Sequence, residues 1–153
     1  MEDLTKLIAG QAFFKDLDPT YVELLAASAQ PARFAANELI ASEGDPTHRF
    51  YLILRGEVRI EGLIPGRGPE AYQIVRAGDS LGWSWMFPPF RWHFTVRASQ
   101  EVEALAWDTA QLRDLAEKNP AFGYEMARRL THVLVRRLQT THAELVEYYG
   151  STN

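Results

Sequence analysis

Two neighbouring runs decide the architecture of this chain: Phe34-Ala35-Ala36-Asn37-Glu38-Leu39-Ile40-Ala41-Ser42-Glu43-Gly44-Asp45, and Phe50-Tyr51-Leu52-Ile53-Leu54-Arg55-Gly56-Glu57-Val58. In the first, Phe34 and the Leu39-Ile40 pair are separated by a turn-like Ala-Ala-Asn, and Glu43-Gly44-Asp45-Pro46 is a turn signal. In the second, Phe50 to Leu54 has the aromatic and branched content of a buried strand. Arg55-Gly56-Glu57 is a tight turn, and Val58-Arg59-Ile60-Glu61 alternates apolar and polar with period two. Gly44 and Gly56 stand where tight turns need positive φ, a region that a side chain on Cα disfavours.

Outward from these runs the period-two pattern continues. Pro65-Gly66-Arg67-Gly68-Pro69 is a hairpin loop, and Ala71 to Val75 returns as a strand. Ala77-Gly78-Asp79 turns again. Thr95-Val96-Arg97-Ala98 and Val102 to Trp107 are two further strands. Short strands joined by glycine-rich turns predict an antiparallel barrel or roll over residues 32–108.

Both flanks are helical. On the N-terminal side (1–31), Leu4, Leu7 and Ile8 share one helical face and Phe13-Phe14 follow. Asp18-Pro19 supplies an N-cap and a first-turn proline. Tyr21, Leu24, Leu25 and Ala29 extend the stripe, and Pro31 ends it. On the C-terminal side (109–149), Asp108 or Thr109 caps a short helix, Gln111 to Lys118, and Asn119-Pro120 opens a long one. Its apolar positions, Phe122, Met126, Leu130, Val133, Leu134, Leu138, Leu145 and Tyr148, recur at steps close to the helical repeat. Such a stripe serves either the intramolecular core or a partner. A small roll covers only part of so long a helix, so the expectation is a homodimer seam at Met126, Leu130, Val133, Leu134 and Leu138. No internal repeat, low-complexity tract or linker interrupts residues 1–153, which read as one domain.

Composition narrows the function. The 153 residues carry a net charge of −4, with no global field toward phosphate backbones. There is no cysteine, which removes disulfides, thiolate metal sites and cysteine nucleophiles together. His48, His93, His132 and His142 form no ligand-spaced pair, so no metal is expected. Ser42, Ser80 and Ser84 lack any nucleophile motif. Nothing supplies an acid, a base and a nucleophile together, and the chain is read as a non-enzyme. The N-terminus shows neither signal peptide nor membrane span, giving a cytoplasmic expectation without membrane partners. The doublets Arg128-Arg129 and Arg136-Arg137 read as a solvated helix flank or as a dock for an acidic partner.

The two opening runs, with Gly78-Asp79 and Val96-Arg97-Ala98, resemble the cyclic-nucleotide-binding domain family, which includes the sensor half of the catabolite activator protein, its FNR-type relatives, and the regulatory domains of cyclic-AMP-dependent kinase. The resemblance covers nearly the whole chain. It implies an eight-stranded antiparallel β-roll with N-terminal helices and a long C-terminal helix. In the transcription regulators of that family a winged helix-turn-helix follows the long helix; here the sequence runs out at Gly150-Ser151-Thr152-Asn153, and no DNA binding is expected.

The resemblance also implies a phosphate-binding cassette between the Gly-Asp turn and the next strand. There a carboxylate holds the ribose hydroxyl and an arginine pairs with the cyclic phosphate. The matching stretch is Gly82-Trp83-Ser84-Trp85-Met86-Phe87-Pro88-Pro89-Phe90-Arg91-Trp92-His93-Phe94-Thr95. Trp83 stands in the place of the carboxylate and Trp92 in that of the arginine, with Arg91 one residue earlier. An indole cannot accept hydroxyl protons, so cyclic AMP and cyclic GMP are expected to bind weakly or not at all, and no cofactor is assigned. Two readings of the segment stand open. Its aromatics fill the former pocket, leaving a structural adaptor for a protein partner. Alternatively, Trp83, Ser84, Trp85, Arg91, Trp92 and His93 line an altered pocket for a different small molecule.

Overall fold

The computed structural model describes residues 2–151. Helix α1 (Glu2–Ala9), a 3-10 turn (Ala12–Phe14) and α2 (Pro19–Ser28) precede eight strands: β1 (Gln30–Phe34), β2 (Leu39–Ala41), β3 (Arg49–Arg55), β4 (Glu57–Ile64), β5 (Gly68–Arg76), β6 (Ser80–Leu81), β7 (Thr95–Ala98) and β8 (Val102–Asp108). A second 3-10 turn (Trp83–Trp85) lies between β6 and β7, and α3 (Thr109–Lys118) and α4 (Pro120–Ser151) follow. The strands form two four-stranded sheets, β1-β8-β3-β6 and β2-β7-β4-β5, with antiparallel pairing throughout. This is the antiparallel β-roll with flanking helices that the sequence predicts.

The continuous apolar run in β3 has a direct cause. Phe50 and Leu52 face the helices, while Tyr51 and Ile53 face the interior of the roll. A strand buried on both faces shows no alternation in its sequence. Its neighbour β8 does the same: Leu105 and Trp107 pack toward the helices, Ala104 and Ala106 into the roll. The Trp107 indole N–H donates to the Leu25 carbonyl at 2.8 Å, tying β8 to α2. Gly44 and Gly56 have φ of 89° and 95°, as expected of their turns. At Gly56 any side chain would also collide with the Glu101 carbonyl, so the β3–β4 turn admits only glycine.

The caps are legible too. Asp18 accepts from the Thr20 N–H at 2.8 Å, with Pro19 in the first turn of α2. Of the two candidates for α3, Asp108 is the cap, accepting from the Gln111 N–H at 3.1 Å, and the helix starts at Thr109 rather than Gln111. Pro31 ends the helical region but sits within β1, on the edge of its sheet, where a residue without an N–H is tolerated. Strand β5 is longer than Ala71 to Val75, because pairing with β4 continues to Ile64 and Gly68. No described helix is long and apolar enough to cross a membrane.

The seam expected on α4 needs correcting. Met126, Leu130 and Val133 are 1%, 0% and 4% exposed and belong to the intramolecular core with Phe14, Leu25, Trp107 and Phe122. The N-terminal helices and the outer face of β3 and β8 together form the floor on which this part of α4 lies, a surface the linear sequence does not display. Leu134 is half-buried, and of the five only Leu138, at 69%, stands exposed.

Candidate functional site

The cassette segment begins at β6, whose two residues pair with Tyr51 and Leu52 of β3. Gly82 follows at φ 95°; a Cβ there would lie 2.9 Å from the Arg49 carbonyl oxygen and 3.3 Å from the Trp92 ring. The left-handed step turns the chain into the 3-10 turn of Trp83 to Trp85. Further on, the Trp92 N–H donates to the Asp45 carbonyl and the Gly44 N–H to the Trp92 carbonyl, each at 2.8 Å. The cassette is thereby tied to the β2–β3 turn.

The six candidate residues part company. The Trp83 and His93 rings stack at 4.8 Å between centroids with an interplanar angle of 8°, and Phe94 approaches Trp83 edge-on at 6.5 Å. Trp92 is buried in the roll's interior core. Trp83, Ser84, Trp92 and His93 surround, with Ile60, Leu81 and Val96, a void of about 10 Å³. That is the volume of at most a single water molecule. Trp85 turns away: it is buried against Phe50 in the other core, where its indole N–H finds no acceptor among the described residues. The Ser84 hydroxyl is engaged with that of Thr47 at 2.6 Å, and Thr47 in turn accepts at its carbonyl from the Thr109 hydroxyl. Arg91 does not border the void. It is exposed and donates to the Gly44 carbonyl at 2.8 Å, so the one cation of the segment supports a turn.

A residue outside the segment completes the site. Arg137 of α4 borders the same void, and its guanidinium donates to the Ser80 carbonyl at 2.7 Å, at the entry to the cassette. Burial pulls its pKa down to about 10 against the favourable field of Asp79, which leaves it charged at neutral pH. Reading the arginine doublets as a solvated flank missed this. The available signal was spacing: Arg137 lies four residues after Val133 and continues the inward stripe Phe122, Met126, Leu130, Val133. Arg129 is likewise drawn in, donating to the Phe13 carbonyl at 2.7 Å and facing Glu125 at 3.6 Å. The second arginine of each doublet therefore fastens α4 to the protein, and the first remains at the surface.

The fold has counterparts in known proteins. Residues 31–119, more than half of the chain, match the family described as the cyclic nucleotide-binding domain. The CRP-like cAMP-activated global transcriptional regulator of Mycobacterium tuberculosis is 26% identical over 144 residues, 94% of this chain. The chain spans 62% of that relative's length. A cyclic nucleotide-binding domain from Methylobacillus flagellatus superposes with a TM-score of 0.80 at 23% identity, covering 96% of this chain and 83% of that one. The sensor domain of the transcriptional regulator DNR from Pseudomonas aeruginosa gives 0.71 at 19%, covering 91% and 95%. The Thermus thermophilus catabolite activator protein gives 0.70 at 23%, covering 90% and 62%. At such identities the structural likeness establishes the fold, and the sequence match establishes the lineage: the chain belongs to the cyclic nucleotide-binding domain family.

Proposed function

We propose that this chain is a regulatory binding module whose cassette is closed to cyclic AMP and cyclic GMP in the family's usual mode, and that it acts as a homodimer on a protein partner. One observation carries the reading: the space between Trp83, Trp92 and His93 amounts to about 10 Å³, whereas pockets for small organic ligands run to roughly 300–1,000 Å³. An altered pocket at this place would need Trp83 and His93 to unstack and Trp92 to leave the core. The carboxylate and arginine positions hold indoles, which offer one N–H each and no charge. Titration calorimetry with cyclic AMP and cyclic GMP is expected to give no sub-micromolar binding. An affinity tighter than about 1 μM, near −8.2 kcal/mol, overturns the closed cassette.

The dimer rests on a different stripe from the one first expected. Thr131, Val135, Leu138, His142, Leu145 and Tyr149 are exposed and step by four, three, four, three and four, the spacing of a coiled-coil seam. At about 3.6 residues per turn this stripe lies on the side of α4 away from Met126, Leu130 and Val133. A two-fold pairing would bury it against itself. Duplex DNA is not a proposed partner of this chain, given its net charge of −4; salt-sensitive gel retardation by the purified protein would reverse that.

A further inference from the structure

Arg137 divides two spaces. On one side is the filled cassette; on the other, between β5 and α4, is an open groove of about 480 Å³. We propose that this groove binds a small phosphate monoester with an apolar body, the phosphate held by Arg137, Arg136 and Arg76. The site is separate from the cassette and does not depend on whether the cassette is closed.

The argument starts from charge. Arg137 is largely withdrawn from water, yet no carboxylate among the described residues lies within 4.0 Å of it. Among the described residues its guanidinium makes one hydrogen bond, to the Ser80 carbonyl, which uses one of five N–H donors. A buried cation ordinarily has a paired anion; here Asp79 acts on it from beyond ion-pair distance, and Arg137 lines the groove. The other two arginines on the groove are paired only at the surface, Arg136 with Asp79 at 3.4 Å and Arg76 with Glu57 at 3.3 Å. Exposed pairs of this kind contribute little, about 0–1 kcal/mol, and a dianionic phosphate competes well for both cations. Asp79 and Glu144 are the acidic groups that border the groove, so its arginines outnumber its carboxylates.

The remaining wall sets the rest of the ligand. Ile74 is exposed on β5 and, with Ala71, gives the groove an apolar floor; the Thr140 hydroxyl on α4 donates to the Arg136 carbonyl at 3.1 Å. Gln73 bridges the two walls, its amide donating to the Arg137 carbonyl at 3.2 Å and to the Thr141 hydroxyl at 2.8 Å. The volume falls within the usual range for small-molecule sites.

The test uses the full chain, calorimetry, and three probes: phenyl phosphate, inorganic phosphate and benzoate. Phenyl phosphate is expected to bind saturably, at least fivefold tighter than inorganic phosphate, which lacks the apolar body, and than benzoate, which carries one charge. Arg76→Gln and Arg136→Gln, both at exposed positions, should each weaken it at least fivefold, whereas Arg128→Gln, outside the groove, should leave it unchanged. Absence of saturation at 10 mM (about 2.7 kcal/mol of binding), or equal binding by the Arg136→Gln protein, overturns the proposal. Cyclic AMP binding that survives both groove substitutions would instead count against the closed cassette and leave the groove untouched.

Discussion

The two halves of α4 carry the same kind of apolar repeat and lead opposite lives. In the first half, Phe122, Met126, Leu130 and Val133 are buried against the N-terminal helices and the roll, with Arg129 and Arg137 bonded to main-chain carbonyls. In the second, Leu138, Leu145, Val146, Tyr148 and Tyr149 are at least half exposed. The helical spacing is shared; the floor beneath it is not. Periodicity therefore says that one face of a helix seeks cover, and says nothing about what covers it.

The sharpest way to break this comparison is truncation in each half. Phe122→Ala should cost about 3–5 kcal/mol and Leu130→Ala about 2–5 kcal/mol, read as a fall in the denaturation midpoint. Leu138→Ala should change protomer stability by no more than about 0.5 kcal/mol. Equal losses in the two halves would mean that the distal half is packed as tightly as the proximal one.

A smaller effect separates the members of each arginine doublet. Arg129→Ala and Arg137→Ala each remove a charge-assisted hydrogen bond to a buried carbonyl and should cost about 1.5–3 kcal/mol. Arg128→Ala and Arg136→Ala should stay within about 1 kcal/mol, since the latter loses only an exposed ion pair with Asp79. Melting curves of the four variants decide it; a flat series would return the doublets to a solvated flank.

Hydrogen exchange grades the same helix without mutation. Amides near Leu130 should exchange only with global unfolding, and those beyond Leu138 much sooner in the protomer. If the chain dimerises, distal protection should rise with protein concentration. Leu138→Glu should abolish that rise and halve the mass by sedimentation while sparing the roll. A wild-type mass equal to one protomer at micromolar concentration removes the dimer.

Much of the roll was legible in the residues themselves. Turn glycines with positive φ, the cap at Asp18 and the alternation of Val58 to Glu61 are local consequences of sterics and hydrogen bonding, and local rules act on neighbours in sequence. The run Phe50 to Leu54 announced a buried strand, and the structure shows that both its faces are covered. At the cassette the sequence offered only what the resemblance implies, with indoles at Trp83 and Trp92 where the family pattern has a carboxylate and an arginine.

Only the tertiary structure decided where those indoles went. Trp83 stacks on His93, Trp92 enters the roll and Trp85 enters the opposite core, although all three lie within ten residues. That sorting depends on the left-handed turn at Gly82 and on main-chain bonds to a turn forty-odd residues earlier. It likewise decided that Arg137, far along the chain, would close the wall of the cassette and face an open groove. A sequence states which groups are available to bury or to charge a site; distance along the chain carries no information about which of them meet, because the contacts that choose among them form only when the layers pack.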